Sequence, residues 1–342
     1  MSEQTNREIH LKSRPAGLPT ADNFALVETP IPQPGPGQAL VRNIYMSVDP
    51  YMRGRMNEQR GYAAPFQIDR PLYGGCVGQV VEANGRQFQV GDYVLGGLGW
   101  REYFVADEKQ LSKIEPSIAP IQAFLGTTGM PGKTAYFGLL DIGKPQAGET
   151  VFVSAASGAV GSIVCQIAKI KGCRVVGSAG SAQKVAWLKE VAGVDAAFNY
   201  KQVDHLTKTV AALCPDGIDI YFENVGGAHL ETALTLMNPH GRIPLCGMIA
   251  HYNQAGAVSG PGNLALAIGK RILIQGYIVS DYYDREAEFY ADMGPWIAEG
   301  KIKWQETIVE GVENAPQAFI GLFSGQNMGK MLVKLGPDPS ES

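Results

Sequence analysis

Residues Val151-Phe152-Val153-Ser154-Ala155-Ala156-Ser157-Gly158-Ala159-Val160-Gly161 constrain this chain more than any other stretch. An apolar run that reads as a buried strand enters a turn built largely from Ser, Ala and Gly. A helix-forming segment, Ser162-Ile163-Val164-Cys165-Gln166-Ile167-Ala168-Lys169, leaves it. Such a passage reads as the first βα turn of a dinucleotide-binding sheet. Small residues let the backbone approach a pyrophosphate, whose charge sits on the free N–H groups of the helix start. The match to G-x-G-x-x-G is incomplete, because Ala156 stands at the first glycine position. Taken alone, the turn also reads as a purely structural one.

The text around the turn extends the pattern. Strand-like runs at 150–154, 174–177, 196–200, 218–222, 241–247 and 272–279 alternate with helical ones. The helix over 181–192, for example, has Ser181 as N-cap and Gly193 as terminator. Alternation of this kind predicts a parallel sheet with right-handed crossovers, and six strands make a complete, doubly wound Rossmann domain. The first 125 or so residues read differently. They are rich in Pro and Gly, as in Pro30-Ile31-Pro32-Gln33-Pro34-Gly35-Pro36-Gly37, and carry short β-type runs such as Ala39-Leu40-Val41-Arg42. Helical periodicity is scarce there, which predicts an irregular β-barrel. A length of 342 residues suits two domains. A final helix at 315–323 and strand at 330–334 find their natural place back on the first domain. The expected division is therefore 1–125 completed by 310–342, and 126–309.

A formal charge of −4 without any basic cluster argues against nucleic acid or an anionic membrane as partner. The segment Met1-Ser2-Glu3-Gln4-Thr5-Asn6-Arg7 lacks the apolar core of a leader, and no stretch is long enough to span a bilayer. A cytoplasmic location is expected. The five cysteines (76, 165, 173, 214 and 246) are odd in number, widely spaced and without a C-x-x-C. Three lie in or beside apolar strand or helix patterns and read as buried free thiols, and neither a disulfide framework nor a metal cage is expected.

The end of the second strand bears on which nicotinamide dinucleotide would bind. A site for a ribose 2′-hydroxyl carries Asp or Glu there. This chain has Gly177-Ser178-Ala179-Gly180-Ser181, followed by Lys184 in the first turn of the next helix. A carboxylate would repel a 2′-phosphate, and none is present. The Lys184 ammonium can reach a phosphate that the helix dipole already favours. A solvated surface lysine is the alternative reading of Lys184. The missing acid and the placed base together point to NADP(H).

A β-rich first domain followed by a Rossmann domain resembles the medium-chain dehydrogenase/reductase superfamily. Its zinc-dependent members carry a Cys followed three residues later by Asp, then a G-H-E motif, then a lobe with four cysteines. Here the corresponding residues are Met46-Ser47-Val48-Asp49 and Tyr73-Gly74-Gly75, with no cysteine between 76 and 165. Zinc takes three or four such ligands, so the resemblance is to a zinc-free member and no metal is expected. Four longer motifs narrow it: Ser47-Val48-Asp49-Pro50-Tyr51-Met52-Arg53-Gly54-Arg55-Met56, Gly129-Met130-Pro131-Gly132-Lys133-Thr134-Ala135-Tyr136, Glu223-Asn224-Val225-Gly226-Gly227 and Asn327-Met328-Gly329-Lys330. They resemble the prostaglandin/leukotriene reductase family, over roughly residues 10 to 335. Plant double-bond reductases and bacterial curcumin reductases belong to it, and the chain is most similar to the last.

The resemblance implies an α/β protein with a GroES-like barrel domain and an NADP-binding Rossmann domain. It implies NADPH-dependent reduction of the carbon–carbon double bond of small α,β-unsaturated ketones and aldehydes. A homodimer joined through its sheet edges is implied as well. Carried over by position, Gly158, Ala159, Val160 and Gly161 form the pyrophosphate turn, and Lys184 and Tyr200 flank the 2′-phosphate. Asn224, the loop Cys246, Gly247 to Tyr252, Tyr277-Ile278-Val279, and Asn327 line the ribose and nicotinamide. Taken singly, Tyr200 also reads as a packing residue and Asn224 as a turn residue.

Enone reduction asks the protein to hold the substrate over the nicotinamide and to offer a donor where the enolate oxygen develops. A phenol suits an apolar pocket, being neutral near pH 7 and able to donate. Tyr252 is the leading candidate and Tyr51 the second, as donor or as pocket wall. Tyr282 and Tyr283 are weaker candidates, and His251 is a rival acid. A cofactor ribose hydroxyl is a further possible donor. Two other functions would use the same parts: an NADPH quinone oxidoreductase, and an NADPH-binding protein without turnover.

Overall fold

The structure is a computed structural model, and it describes residues 5–58 and 61–341. Residues 1–4, most of the segment in which a leader would begin, lie outside the described residues. The chain forms two compact units, residues 1–126 with 306–342, and residues 127–305.

In the first unit, β1 (Thr5–Leu11) and β2 (Phe24–Pro30) form an antiparallel pair. Strand β3 (Gln38–Ser47) is followed by the one-turn helix α1 (Met52–Arg55). β3 pairs antiparallel with β4 (Cys76–Ala83), which continues through β5 (Tyr93–Gly96), and also with β6 (Tyr103–Asp107). The short β7 (Ser112–Lys113) closes on β5. Two register shifts between β3 and β4 bend the sheet around its core. At the centre lies the fully buried Trp100, stacked on Phe24 with centroids 6.2 Å apart. At the end of α1, the Arg55 guanidinium is sandwiched between the Phe66 and Tyr73 rings, at 4.2 and 4.1 Å, and its Nε donates to the Ala64 carbonyl.

The second unit opens with α2 (Met130–Phe137). Then come β8 (Thr150–Val153), α3 (Gly161–Ile170), β9 (Arg174–Ala179), α4 (Ala182–Glu190) and β10 (Ala196–Asn199). The second half holds α5 (Leu206–Leu213), β11 (Ile218–Phe222), α6 (Gly227–Leu236), β12 (Met237–Leu245), α7 (Leu266–Lys270), β13 (Leu273–Gly276) and α8 (Glu286–Ala298). The six strands are parallel in the order β10-β9-β8-β11-β12-β13. That is the Rossmann order, with its switch point between β8 and β11. Helices on both faces explain why β8 is buried at every residue and apolar without alternation from Val151 to Val153. β13 is shorter than the expected 272–279. Its partner β12 ends at Leu245, opposite Gly276, so residues beyond Gly276 have nothing to pair with.

The chain then returns to the first unit. β14 (Glu306–Glu310) lies parallel to β15 (Lys330–Lys334), and β15 pairs antiparallel with β3, Leu332 opposite Ser47. Between them α9 (Ala315–Leu322) sets Phe319 edge-on against Trp100. Among the described residues no helix is long and apolar enough to cross a membrane.

Candidate active site

The βα turn after β8 is held by its own backbone. Ala155 takes φ +46°, Gly158 N–H donates to the Ala155 carbonyl at 2.9 Å, and Ser162 N–H to the Gly158 carbonyl at 3.0 Å. The N–H groups just before Ser162 start the helix and have no intrahelical partner by construction. A Cβ on Gly161 would lie 2.4 Å from the Ala155 oxygen and 2.9 Å from the Ala156 Cα, so only glycine starts α3 this close to the turn. The alanine at the first fingerprint position also has a physical account. The Ala156 methyl is buried 2.8 Å from where a Cβ on Gly177 would be, so it fills space that a glycine on β9 leaves open.

Beside this turn, Asn224 at the end of β11 donates its N–H to Ser154 Oγ (2.9 Å) and its Nδ2 to the Ser154 carbonyl (2.8 Å). Fully buried Glu223 organises the same corner. Its Oε1 accepts from Val225 N–H (2.6 Å), Gly226 N–H (2.8 Å), the Tyr221 hydroxyl (2.8 Å) and Ser154 Oγ (3.2 Å). Burial pushes the Glu223 carboxyl up despite these donors. Sequence reading did not single out this acid, although it opens the Glu-Asn-Val-Gly-Gly motif.

At the β9–β10 side, Ser181 Oγ caps α4 by accepting from Lys184 N–H at 3.3 Å. Tyr200 follows β10, 40% exposed, and the Asn199 side chain accepts from Lys201 N–H at 3.1 Å. Tyr200 and Lys201 converge on Gly180: a Cβ there would lie 3.3 Å from Lys201 Cε and 3.4 Å from the Tyr200 hydroxyl. Lys184 is pushed below the usual lysine range, by burial first and by the Lys201 charge second. Lys201 is a site candidate that sequence reading missed; its only signal was its place directly after Tyr200. Behind Tyr200 lies buried His229 of α6, edge-on at 5.3 Å, with Nε2 3.1 Å from Ser178 Oγ.

The β12–β13 side carries the remaining candidates. Cys246 and Gly247 donate their N–H groups to the Glu223 carbonyl, at 3.0 and 3.1 Å. Burial pushes the Cys246 thiol up to about 11. The Tyr252 hydroxyl accepts from Met248 N–H at 3.4 Å, so this loop folds back over its own start, and burial raises its phenol above 10. His251 sits beside Gly226. The Tyr277 hydroxyl donates to the Thr134 carbonyl at 2.8 Å, and Ile278 and Val279 continue the loop beyond β13. Tyr282 stacks on Phe137 at 4.7 Å as a packing residue, and Tyr283 is exposed. The candidates of this unit thus lie at the carboxyl ends of five neighbouring strands and at the turn after the sixth, in sheet order: Lys184 and Tyr200, the glycine turn, Asn224, the 246–252 loop, Tyr277.

The first unit carries Tyr51, half-buried at the start of α1, and Asn327, whose Nδ2 donates to the Gly329 carbonyl at 2.7 Å.

Family comparisons agree with this architecture. Residues 7–114 match the family described as N-terminal domain of oxidoreductase, and residues 159–299 match zinc-binding dehydrogenase. The chain is 46% identical to the NADPH-dependent curcumin reductase of Escherichia coli, over 98% of this chain and 99% of that one. It is 44% identical to the NADP+-dependent 2-alkenal reductase of Nicotiana tabacum, over 97% and 98%. The solved structure of Vibrio vulnificus CurA in complex with NADPH superposes with a TM-score of 0.92 at 46% identity, covering 97% of this chain and all of that one. The chain belongs to the prostaglandin/leukotriene reductase family.

In this member of the family, the places of the zinc ligands are filled by core. Met46 is fully buried and its Sδ accepts from Trp100 N–H at 3.2 Å. A Cβ on Gly74 would lie 2.3 Å from Met52 Cε, so a ligating side chain there would have to displace Met52. Among the described residues no three His, Cys, Asp or Glu side chains are grouped to hold a metal.

Proposed function

We propose that this chain reduces the carbon–carbon double bond of α,β-unsaturated ketones and aldehydes with NADPH. The observation that carries the reading is the order of groups along the carboxyl edge of the second unit's sheet, from a lysine pair through a glycine turn to a tyrosine-bearing loop. That order suits an extended dinucleotide, with its phosphates toward β9 and β8 and its nicotinamide toward β12 and β13. The fit to NADPH rests on two local features. Gly161 keeps the cradle at the helix start open, where a Cβ would close it. Lys184 and Lys201 put two like charges near one spot, an arrangement that a 2′-phosphate dianion turns from repulsive to favourable.

In this reading Gly158, Ala159, Val160 and Gly161 bind the pyrophosphate. Lys184, Tyr200 and Lys201 hold the 2′-phosphate. Asn224, Cys246, Gly247, Tyr252, Tyr277, Ile278, Val279 and Asn327 hold the ribose and nicotinamide. NADPH, when bound, supplies the hydride that the enone β-carbon receives. The protein stabilises the charge that then develops on the carbonyl oxygen, and Tyr252 is the assigned donor, with Tyr51 as pocket wall or second donor. The Tyr252 phenol is neutral at physiological pH, as an ordinary tyrosine is, and burial pushes it further in that direction. The second unit is the NADP-binding domain and the first contributes to substrate binding. A cytoplasmic homodimer belongs to the same proposal. Its support is β13, an edge strand with Leu273 exposed and with Ile268, 80% exposed, just before it.

The test is product analysis with deuterated NADPH over a panel of enones, enals, quinones and simple aldehydes. Label on the β-carbon of a saturated ketone is the expected result. An allylic alcohol labelled at the carbonyl carbon would overturn the reading, and turnover of quinones alone would favour a quinone oxidoreductase.

A further inference from the structure

Two of the sequence motifs, around Asp49 and around Lys330, meet in a buried ion pair that the chemistry above does not use. β15 runs antiparallel to β3, and continuing the Leu332–Ser47 register brings Lys330 opposite Asp49. Lys330 Nζ donates to Asp49 Oδ1 at 2.9 Å and to the Val48 carbonyl at 3.0 Å, while Ser47 Oγ donates to Asp49 Oδ2. The two charged residues are 4% and 6% exposed.

A pair this deeply buried gives little net stability over well-packed apolar residues, because desolvation offsets the attraction. It does dictate placement, since either charge left alone would be costly. What it places is specific. Asp49 precedes Tyr51 by two residues, and its carbonyl accepts from Met52 N–H at 3.1 Å, which sets the start of α1. Lys330 follows Asn327 by three residues, and between them Met328 N–H is tied to Thr307 Oγ1 at 2.8 Å. We infer that the Asp49–Lys330 pair is a positioning device that fixes the Tyr51 corner and the Asn327 loop to each other, so that both present one constant geometry to the reaction. The inference rests on the roles proposed above for Tyr51 and Asn327.

The double variant D49N/K330M removes both charges and strands neither. It should melt at or above the temperature of the unaltered protein, and bind 2′,5′-ADP, a probe of the second unit alone, within about twofold. Its kcat for an enone should fall about 10- to 100-fold, the loss typical of reacting groups displaced by an ångström or less. Y51A should lower kcat about tenfold in the unaltered protein but less than about threefold further in D49N/K330M, because the two changes act through one geometry. An unaltered kcat in D49N/K330M, or losses that multiply in full, would overturn the inference while leaving the proposed function intact. If Y51A and N327A are both silent, the first-unit residues have no role and the inference falls with them. Failure of the unaltered protein to bind 2′,5′-ADP would instead remove the proposed cofactor.

Discussion

In the proposed function, single side chains set the choice of dinucleotide. Lys184 sits in the first turn of a helix with no acid before it, and Lys201 arrives beside it from the next strand. Lys184→Ala should raise KM for NADPH by one to two orders of magnitude, about 1.5–3 kcal/mol for a charge-assisted contact, and Lys201→Ala by less. NADH kinetics should barely change in either, and equal losses with both dinucleotides would remove the lysines from the phosphate site. Tyr252→Phe keeps the ring and deletes the donor. It should lower kcat about 10- to 1,000-fold with little change in KM, the signature of one lost oxyanion donor. An unchanged kcat would pass the role to Tyr51 or the cofactor ribose. With Met46 and Gly74 packed into core, activity should survive exhaustive treatment with phenanthroline. Loss of activity that zinc restores would contradict that expectation.

Helix α6 carries a built-in acid sensitivity. His229 near its start is buried against Phe152 and Tyr200, and burial pushes its pKa down from 6.5 to about 4. The unfolded chain therefore takes up this proton as pH falls below about 6.5, while the folded chain refuses it until about 4. Unfolding binds the extra proton, so stability is complete above that window and declines through it, by at most about 3 kcal/mol. His229→Gln should flatten the fall in melting temperature between pH 7 and 4.5, although the variant starts from a lower value at neutral pH. An acid limb as steep as that of the unaltered protein would show that other groups set it. Because the imidazole backs the Tyr200 ring, NADPH affinity should weaken in the same variant.

At the scale of the whole molecule, the second unit's sheet has an exposed edge strand. Among the described residues β13 pairs with β12 alone, which leaves its other edge open beside exposed Leu273 and Ile268. Such an edge invites a second copy related by a two-fold axis. Ile268→Lys with Leu273→Lys should convert a dimer to monomers in sedimentation velocity without loss of the fold. A native protein already monomeric at micromolar concentration would dispose of the proposal.

Much of this molecule was legible in its text because the informative features are contiguous. The strand–turn–helix of Val151 to Gly161, the Ser181 cap, the alternation that makes a parallel sheet and the missing acid after β9 are all local patterns. Backbone preference and side-chain periodicity act over a few residues, so they survive without the fold. Tertiary structure decided what depends on neighbours distant in sequence. It set Lys201 beside Lys184, gave one oxygen of Glu223 four donors, and ended β13 at Gly276 where its partner stops. It also joined Lys330 to Asp49 across 281 residues of chain. Such contacts follow from which strands lie side by side, and strand order is settled by packing of the whole core rather than by any segment of it.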